Sequence, residues 1–150
     1  MNKKNHTYTI ITEKNCEILC AKELKEGSQT LSVKIEEGIP NDMMGLDIGK
    51  ESVSLYRKIL LKSQTIFWNG PLGVFEIPPF DYGTKEIALS IKEATKNKDI
   101  LTLIGGGESA LASKMYGIDM LVNHVSTGGG ALLELLEGKE LPGIKALTSK

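Results

Sequence analysis

Apolar positions along this chain come in short runs, and the spacing inside each run predicts an element. Residues 8–12 are β-rich, and across residues 29–35 Leu31, Val33 and Ile35 alternate with polar neighbours. Both patterns predict strands. Pro40, Asn41 and Asp42 make residues 36–45 a loop. Over residues 49–62, Val53, Tyr56, Ile59 and Leu60 recur at helical spacing, which predicts an amphipathic helix. Residues 65–68 are β-branched and aromatic and read as a strand, stopped by Asn69-Gly70-Pro71. Asp81 or Thr84 can then cap a helix running through Ile87, Leu89 and Ile91 to about Lys96.

The remaining third repeats one plan. Residues 100–104 are continuously apolar, as in a strand buried on both faces of a parallel sheet. They end in Gly105-Gly106-Gly107, after which Glu108 opens a helix with Leu111 and Met115 on one side. Residues 120–125 read as a second such strand, ending in Ser126-Thr127-Gly128-Gly129-Gly130. A helix over 131–136 follows, terminated by Gly138. Strand, turn and helix in succession predict an α/β fold with a parallel sheet and right-handed crossovers. Such folds place ligands at the carboxyl ends of their strands, where these glycine clusters lie.

Composition narrows the function. A chain of 150 residues suits one domain with a substantial core. With 18 basic and 19 acidic residues the net charge is -1, which argues against a nucleic-acid partner. No apolar run reaches the roughly 18 residues a bilayer crossing needs, so no membrane partner is expected. Residues 1–12 lack an apolar signal core, which favours a cytoplasmic location. Aromatics are only 5%, which weakens any stacking-based ligand site. Cys16 and Cys20 lie four apart and are expected to be reduced thiols, with too few neighbours for zinc. His6 and His124 are the only histidines, and His124 fits a structural place at a strand end better than a catalytic one. No Ser/His/Asp grouping or Walker A pattern is present.

The two glycine triplets carry the candidate chemistry. Glycine lets the backbone approach a ligand closely, and the helix that follows offers free N–H groups with a partial positive charge. An anion is therefore the expected ligand, with Ser109, Ser126 and Thr127 adding hydroxyls. Either turn alone fits an ordinary tight βα connection; two in succession favour a phosphate chain. Glu108 fits a first-turn charge on the helix dipole, or a Mg²⁺ ligand, direct or through water. Glu76, after Gly73-Val74-Phe75, could accept ribose hydroxyl protons, while Val74 offers an apolar wall to a base.

Taken in order, these segments resemble the C-terminal, nucleotide-binding domain of phosphoglycerate kinases. Gly45-Leu46-Asp47-Ile48-Gly49 is similar to the family's GLDIG, and the run from Trp68 to Glu76 to its WNGPxGVFE. Gly83-Thr84 matches the GT of the next helix, Gly105 to Ser109 resembles GGGD(S/T), and Ser126 to Ala131 matches STGGGA. Leu136 to Gly143 matches the LEGKxLPG tail, and the earlier residues 7–40 fit more loosely.

The resemblance implies an incomplete doubly wound, Rossmann-like parallel sheet with helices on both faces. Residues 1–150 would be part of the C-terminal nucleotide-binding domain, with the N-terminal substrate domain and the first part of the C-terminal domain absent. It implies reversible phosphoryl transfer from 1,3-bisphosphoglycerate to ADP, giving 3-phosphoglycerate and ATP in glycolysis, with ATP/ADP and Mg²⁺ as cofactors. Val74 and Glu76 would meet adenine and ribose. Gly105, Gly106, Gly107, Glu108 and Ser109 would meet the nucleotide phosphates, with Glu108 near Mg²⁺. Ser126, Thr127, Gly128, Gly129 and Gly130 would hold the phosphoryl group in flight, Gly128 and Gly129 through backbone N–H groups.

The chain alone is expected to be inactive, its partner being the missing kinase portion if another chain supplies it. A second function class is a non-catalytic nucleotide- or anion-binding module. Two departures are visible: Glu108 stands where the family has Asp, which predicts weaker metal–nucleotide binding, and Lys50 stands where it has Pro. Uncovered apolar surface at an open sheet edge predicts a less stable, association-prone chain.

Overall fold

Two three-stranded sheets organise the chain in the computed structural model, which describes residues 16–148 and, within them, the side chains of all but residues 132, 147 and 148. The strand expected over residues 8–12 and His6 lie outside the described residues. In the first sheet β1 (Glu17–Ala21) lies between β2 (Leu31–Lys34) and β3 (Met44–Ile48), antiparallel to both. In register, Ile18 pairs with Val33 on one side and Ile48 on the other. A single 3₁₀ turn, Ile35–Glu37, follows β2.

The second sheet is parallel, in the order β4 (Thr65–Asn69), β5 (Leu101–Gly105), β6 (His124–Ser126). Helices α1 (Lys50–Leu60), α2 (Tyr82–Ala94), α3 (Gly107–Met115), α4 (Gly129–Leu136) and α5 (Pro142–Thr148) alternate with and follow these strands. The fold is α/β, a parallel sheet flanked by helices.

Of the antiparallel sheet, the sequence pattern anticipated β2, which lies within the strand expected over residues 29–35, and concealed β1 and β3. The segment MGLDI of β3 carries a glycine and an aspartate, poor β-formers, and becomes a strand by pairing with β1. The expected strand over 120–125 is also shorter than its apolar run. Only His124–Ser126 is extended, and Met120 is 88% exposed. Gly117, with φ 64°, ends α3, and the amides of Leu121 and Val122 both bond back to the Ile118 carbonyl. The side chain of Asn123 then accepts from both the Thr102 amide (2.7 Å) and the Thr102 hydroxyl (2.9 Å). Turn bonds therefore claim the polar groups that a longer strand would have used.

The main core gathers Ile66 and Trp68 of β4, Ile104 of β5, Ile87 and Ile91 of α2, Ala112 of α3, and Phe75 and Ile118 from connections. A smaller cluster of Ala21, Leu46 and Phe80 lies under the antiparallel sheet, with Leu19, Val74 and Ile77 packed on it. The connection from β4 to α2 thus feeds both cores, Phe75 to one and Val74, Ile77 and Phe80 to the other. Burial of these side chains drives the fold at about 1.5–3 kcal/mol for each large one. Apolar side chains also face outward, among them Leu111, Met115, Met120, Leu133, Leu135 and Leu136.

Candidate functional site

Parallel pairing puts the carboxyl ends of β4, β5 and β6 on one edge. In register Asn69 lies beside Gly105, and Gly105 beside Ser126. Each strand then turns into the segment the sequence marked as chemical. The edge gathers Asn69-Gly70 from β4, the first glycine triplet from β5 and the second from β6.

The glycines of these turns fall into two kinds. Gly106, at φ 98°, caps α3 in a conformation that disfavours any side chain, and its amide donates to the Ser126 carbonyl at 2.9 Å. A methyl group on Gly129 would stand 2.8 Å from Asn69 Oδ1 and 2.9 Å from both Cα and N of Gly106. The two triplets therefore rest backbone on backbone; glycine is required at 129 by packing and at 106 by its positive φ. Gly107 and Gly130 differ: among the described residues a methyl group there would meet nothing within 4 Å, and at Gly128 it would meet only Ser126 Oγ at 3.7 Å. The fold itself does not call for glycine at these three positions.

Helices α3 and α4 begin at these turns with glycine N-caps, Gly106 and Gly128, and neither has a side-chain cap. Their first-turn amides have no partner within the helix and sit at the positive end of its dipole. Helix α1 also has a glycine cap, Gly49, but there the Glu17 carboxylate accepts the Glu51 amide at 2.9 Å. Among the described residues Glu17, from another element, thus supplies an anion to α1, while the first turn of α3 carries its own exposed Glu108 and that of α4 carries no acidic residue.

Other expected residues are placed as follows. Glu108 is exposed on the first turn of α3. Thr127 is exposed and Ser126 half-buried, its hydroxyl oxygen accepting the Gly128 amide at 3.2 Å. Ser109 departs from the expected ligand-facing hydroxyl: it is fully buried, and its oxygen accepts the Gly70 amide at 2.6 Å. Its side chain joins the β4 turn to α3. Val74 is half-buried, its amide donating to the Leu46 carbonyl at 3.0 Å, and Glu76 is exposed two residues on. Both belong to the connection leaving β4. His124 opens β6 and is exposed, and the two cysteines are buried and not joined in a disulfide, with the Cys16 sulfur 2.7 Å from the Tyr56 hydroxyl.

Three residues acquire a part that the sequence did not suggest. Asn69, read only as a strand stop, is packed between the triplets. Thr84 does not cap α2; its hydroxyl accepts the Leu72 amide at 3.0 Å and ties the connection to that helix. Asp47 is buried on β3, where Oδ2 accepts the Gly83 amide at 2.7 Å and Oδ1 accepts the Ile48 amide at 2.8 Å. Burial pushes its carboxyl up to about 6, with the nearby charge of Asp81 adding to the rise, against the downward pull of those two amide bonds.

Among the described residues no group of three or more His, Cys, Asp or Glu side chains is arranged to hold a metal, so Glu108 is the carboxylate the α3 turn itself offers. Nor is any described helix long and apolar enough to cross a membrane.

The family model described as phosphoglycerate kinase matches residues 1–139. A phosphoglycerate kinase of Thermosipho africanus is 51% identical over 132 residues, covering 88% of this chain and 33% of that protein. Phosphoglycerate kinase 2 of Rhizopus niveus is 55% identical over 114 residues, covering 76% of this chain and 27% of that protein. The solved structure of phosphoglycerate kinase from Coxiella burnetii superposes with a TM-score of 0.77 at 36% identity, covering 88% of this chain and 33% of that one. The chain thus spans about a third of the length of the curated relatives it matches.

Proposed function

The chain belongs to the phosphoglycerate kinase family, and on that premise we propose that it forms the nucleotide part of a site for reversible phosphoryl transfer between 1,3-bisphosphoglycerate and ADP, a step of glycolysis in the cytoplasm. The observation that carries this reading is the open space over Gly107, Gly128 and Gly130 at two uncapped helix starts. Bare backbone is kept where packing does not ask for it, which suits a ligand that must come closer than a side chain would allow. Gly105, Gly106, Gly107 and Ser109 meet the nucleotide phosphates, the last through its amide. Gly128, Gly129 and Gly130, with Ser126 and Thr127, receive the phosphoryl group. Val74 lies against adenine, and Glu76 accepts from the ribose hydroxyls.

Phosphoryl transfer asks a protein mainly for positioning and for stabilisation of charge spread over three oxygens. Two helix starts whose glycine turns touch provide both without a side-chain cation. The exposed carboxylate of Glu108 fits Mg²⁺, which is commonly held by one or two carboxylates together with phosphates and water. When bound, the metal would offset phosphate charge; Glu108 would hold it directly or through a water.

The chain by itself binds nucleotide without turnover, and residues 1–150 act as part of a C-terminal nucleotide domain whose reaction needs the further length its relatives have. Calorimetric titration of Mg·ADP into the chain tests the binding half, and saturable one-to-one binding is expected. An assay of the chain mixed with the complementary portion of a relative tests the catalytic half. Binding without turnover in that mixture would instead make it a non-catalytic nucleotide-binding module, and absence of binding would remove the proposal.

A further inference from the structure

The buried carboxylate of Asp47 stands at a junction of three segments. It lies on β3, beside Leu19 of β1 in the antiparallel register. One oxygen holds the amide of Gly83 in the first turn of α2, and the other that of Ile48. The same side chain fills the space over two glycines. A methyl group on Gly73 or Gly83 would overlap it, and on Gly73 it would also stand 2.6 Å from the Phe80 carbonyl. One residue from Asp47, the Leu46 carbonyl accepts the Val74 amide at 3.0 Å. Residues 46 and 47 therefore hold the β4–α2 connection at Gly73 and Val74 and at its far end, Gly83.

We propose that Asp47 is a positioning residue for nucleotide: by bracing the β4–α2 connection against β3 and α2, it sets where Val74 and Glu76 stand. This rests on the nucleotide reading given above. The bracing explains why a charged side chain is kept in an apolar setting, next to the cluster of Ala21, Leu46 and Phe80. Buried polar groups with satisfied bonds fix one arrangement where apolar contacts alone would permit several. The titratable groups around it are Asp81 at the head of α2 and Tyr116 at the end of α3. Burial chiefly raises the Tyr116 hydroxyl, with Asp81, Asp47 and Glu76 adding to the rise.

Two measurements on the whole chain test the proposal. In the first, backbone amide resonances are followed through the carboxylate range in the wild type and in Asp47→Asn. Ile48 and Gly83 should show a step with one shared midpoint, and Val74 and Glu76 should show a step with that same midpoint; in the variant that step should vanish at all four, leaving only what the intact carboxyls of Glu76 and Asp81 impose on their own neighbourhoods. Movement at Ile48 and Gly83 that stops short of Val74 and Glu76 would reduce Asp47 to a local helix contact and overturn the proposal. In the second, Mg·ADP affinity is measured for both proteins. Leaving a buried amide short of its acceptor should weaken Asp47→Asn by about tenfold. Equal affinities would overturn the proposal. Should the wild type bind no nucleotide, the functional reading fails, while the resonance experiment still decides whether Asp47 braces the connection. If the variant does not fold, the wild-type titration alone decides.

Discussion

Glu108 and Asp47 illustrate how one carboxylate differs from another by its surroundings. Glu108 is solvent-exposed, so its contribution depends on what it can reach. Its side chain is one methylene longer than aspartate, and Mg²⁺ tolerates little departure from octahedral geometry at about 2.0–2.1 Å. Glu108→Asp should therefore strengthen Mg·ADP binding while leaving metal-free ADP binding unchanged; equal Mg dependence of the two proteins in calorimetry would remove the metal role. Asp47 is buried, and its carboxyl is raised from 3.8 to about 6, chiefly by desolvation. The folded state then binds a proton that the unfolded chain lacks between those values, so this group adds stability as pH falls through 6. Relative to Asp47→Asn, the wild type should gain about 1 kcal/mol between about pH 7 and about pH 5. Urea midpoints at the two pH values measure it. Asp42 and Glu93 are lowered, chiefly by hydrogen bonds from Lys22 and Arg57, and stand at least partly in solvent, so they act in the opposite sense, at lower pH and weakly.

At the scale of the element, the paired turns behave as one unit with two kinds of glycine. Gly130 lies in the first turn of α4 with open space before it. Gly130→Ala should leave stability unchanged or raise it by up to about 1 kcal/mol, since alanine is the better helix former, yet weaken ATP, which carries the phosphoryl group that this turn would receive. Gly129→Ala should cost stability first, because Asn69 and the Gly106 backbone have nowhere to go. Thermal melts with nucleotide titration separate the two, and a Gly129→Ala protein as stable as the wild type would contradict the packing. The parallel strands and their helices were legible in the sequence because apolar runs and glycine stops act locally. β1 and β3 were not, since their pairing joins segments that show little strand character by themselves. The early end of the apolar run over 120–125 was hidden for a related reason: the side chain of Asn123 reaches Thr102, which lies on another strand.

For the molecule as a whole, the balance between the two cores and the outward-facing apolar residues governs behaviour in solution. Leu111, Met115 and Met120 are 56%, 60% and 88% exposed, and α4 adds Leu133, Leu135 and Leu136. Exposed apolar area of this kind promotes association and gives little protection against unfolding. The chain should unfold at low urea and show a mass above the monomer as concentration rises. A steep transition at high urea, with a monomer throughout in sedimentation, would count against this. A net charge of -1 offers little repulsion to oppose it.

The amino-acid sequence by itself determined where strands give way to helices in the parallel half, and that two runs of glycine stand at those changes, because both follow from spacing between near neighbours. Only the tertiary structure decided which glycines are packing and which are bare, that Ser109 serves the fold, and that Asp47 sits where three segments meet. Those facts depend on segments distant along the chain coming within a few ångströms, and no local pattern records such a meeting.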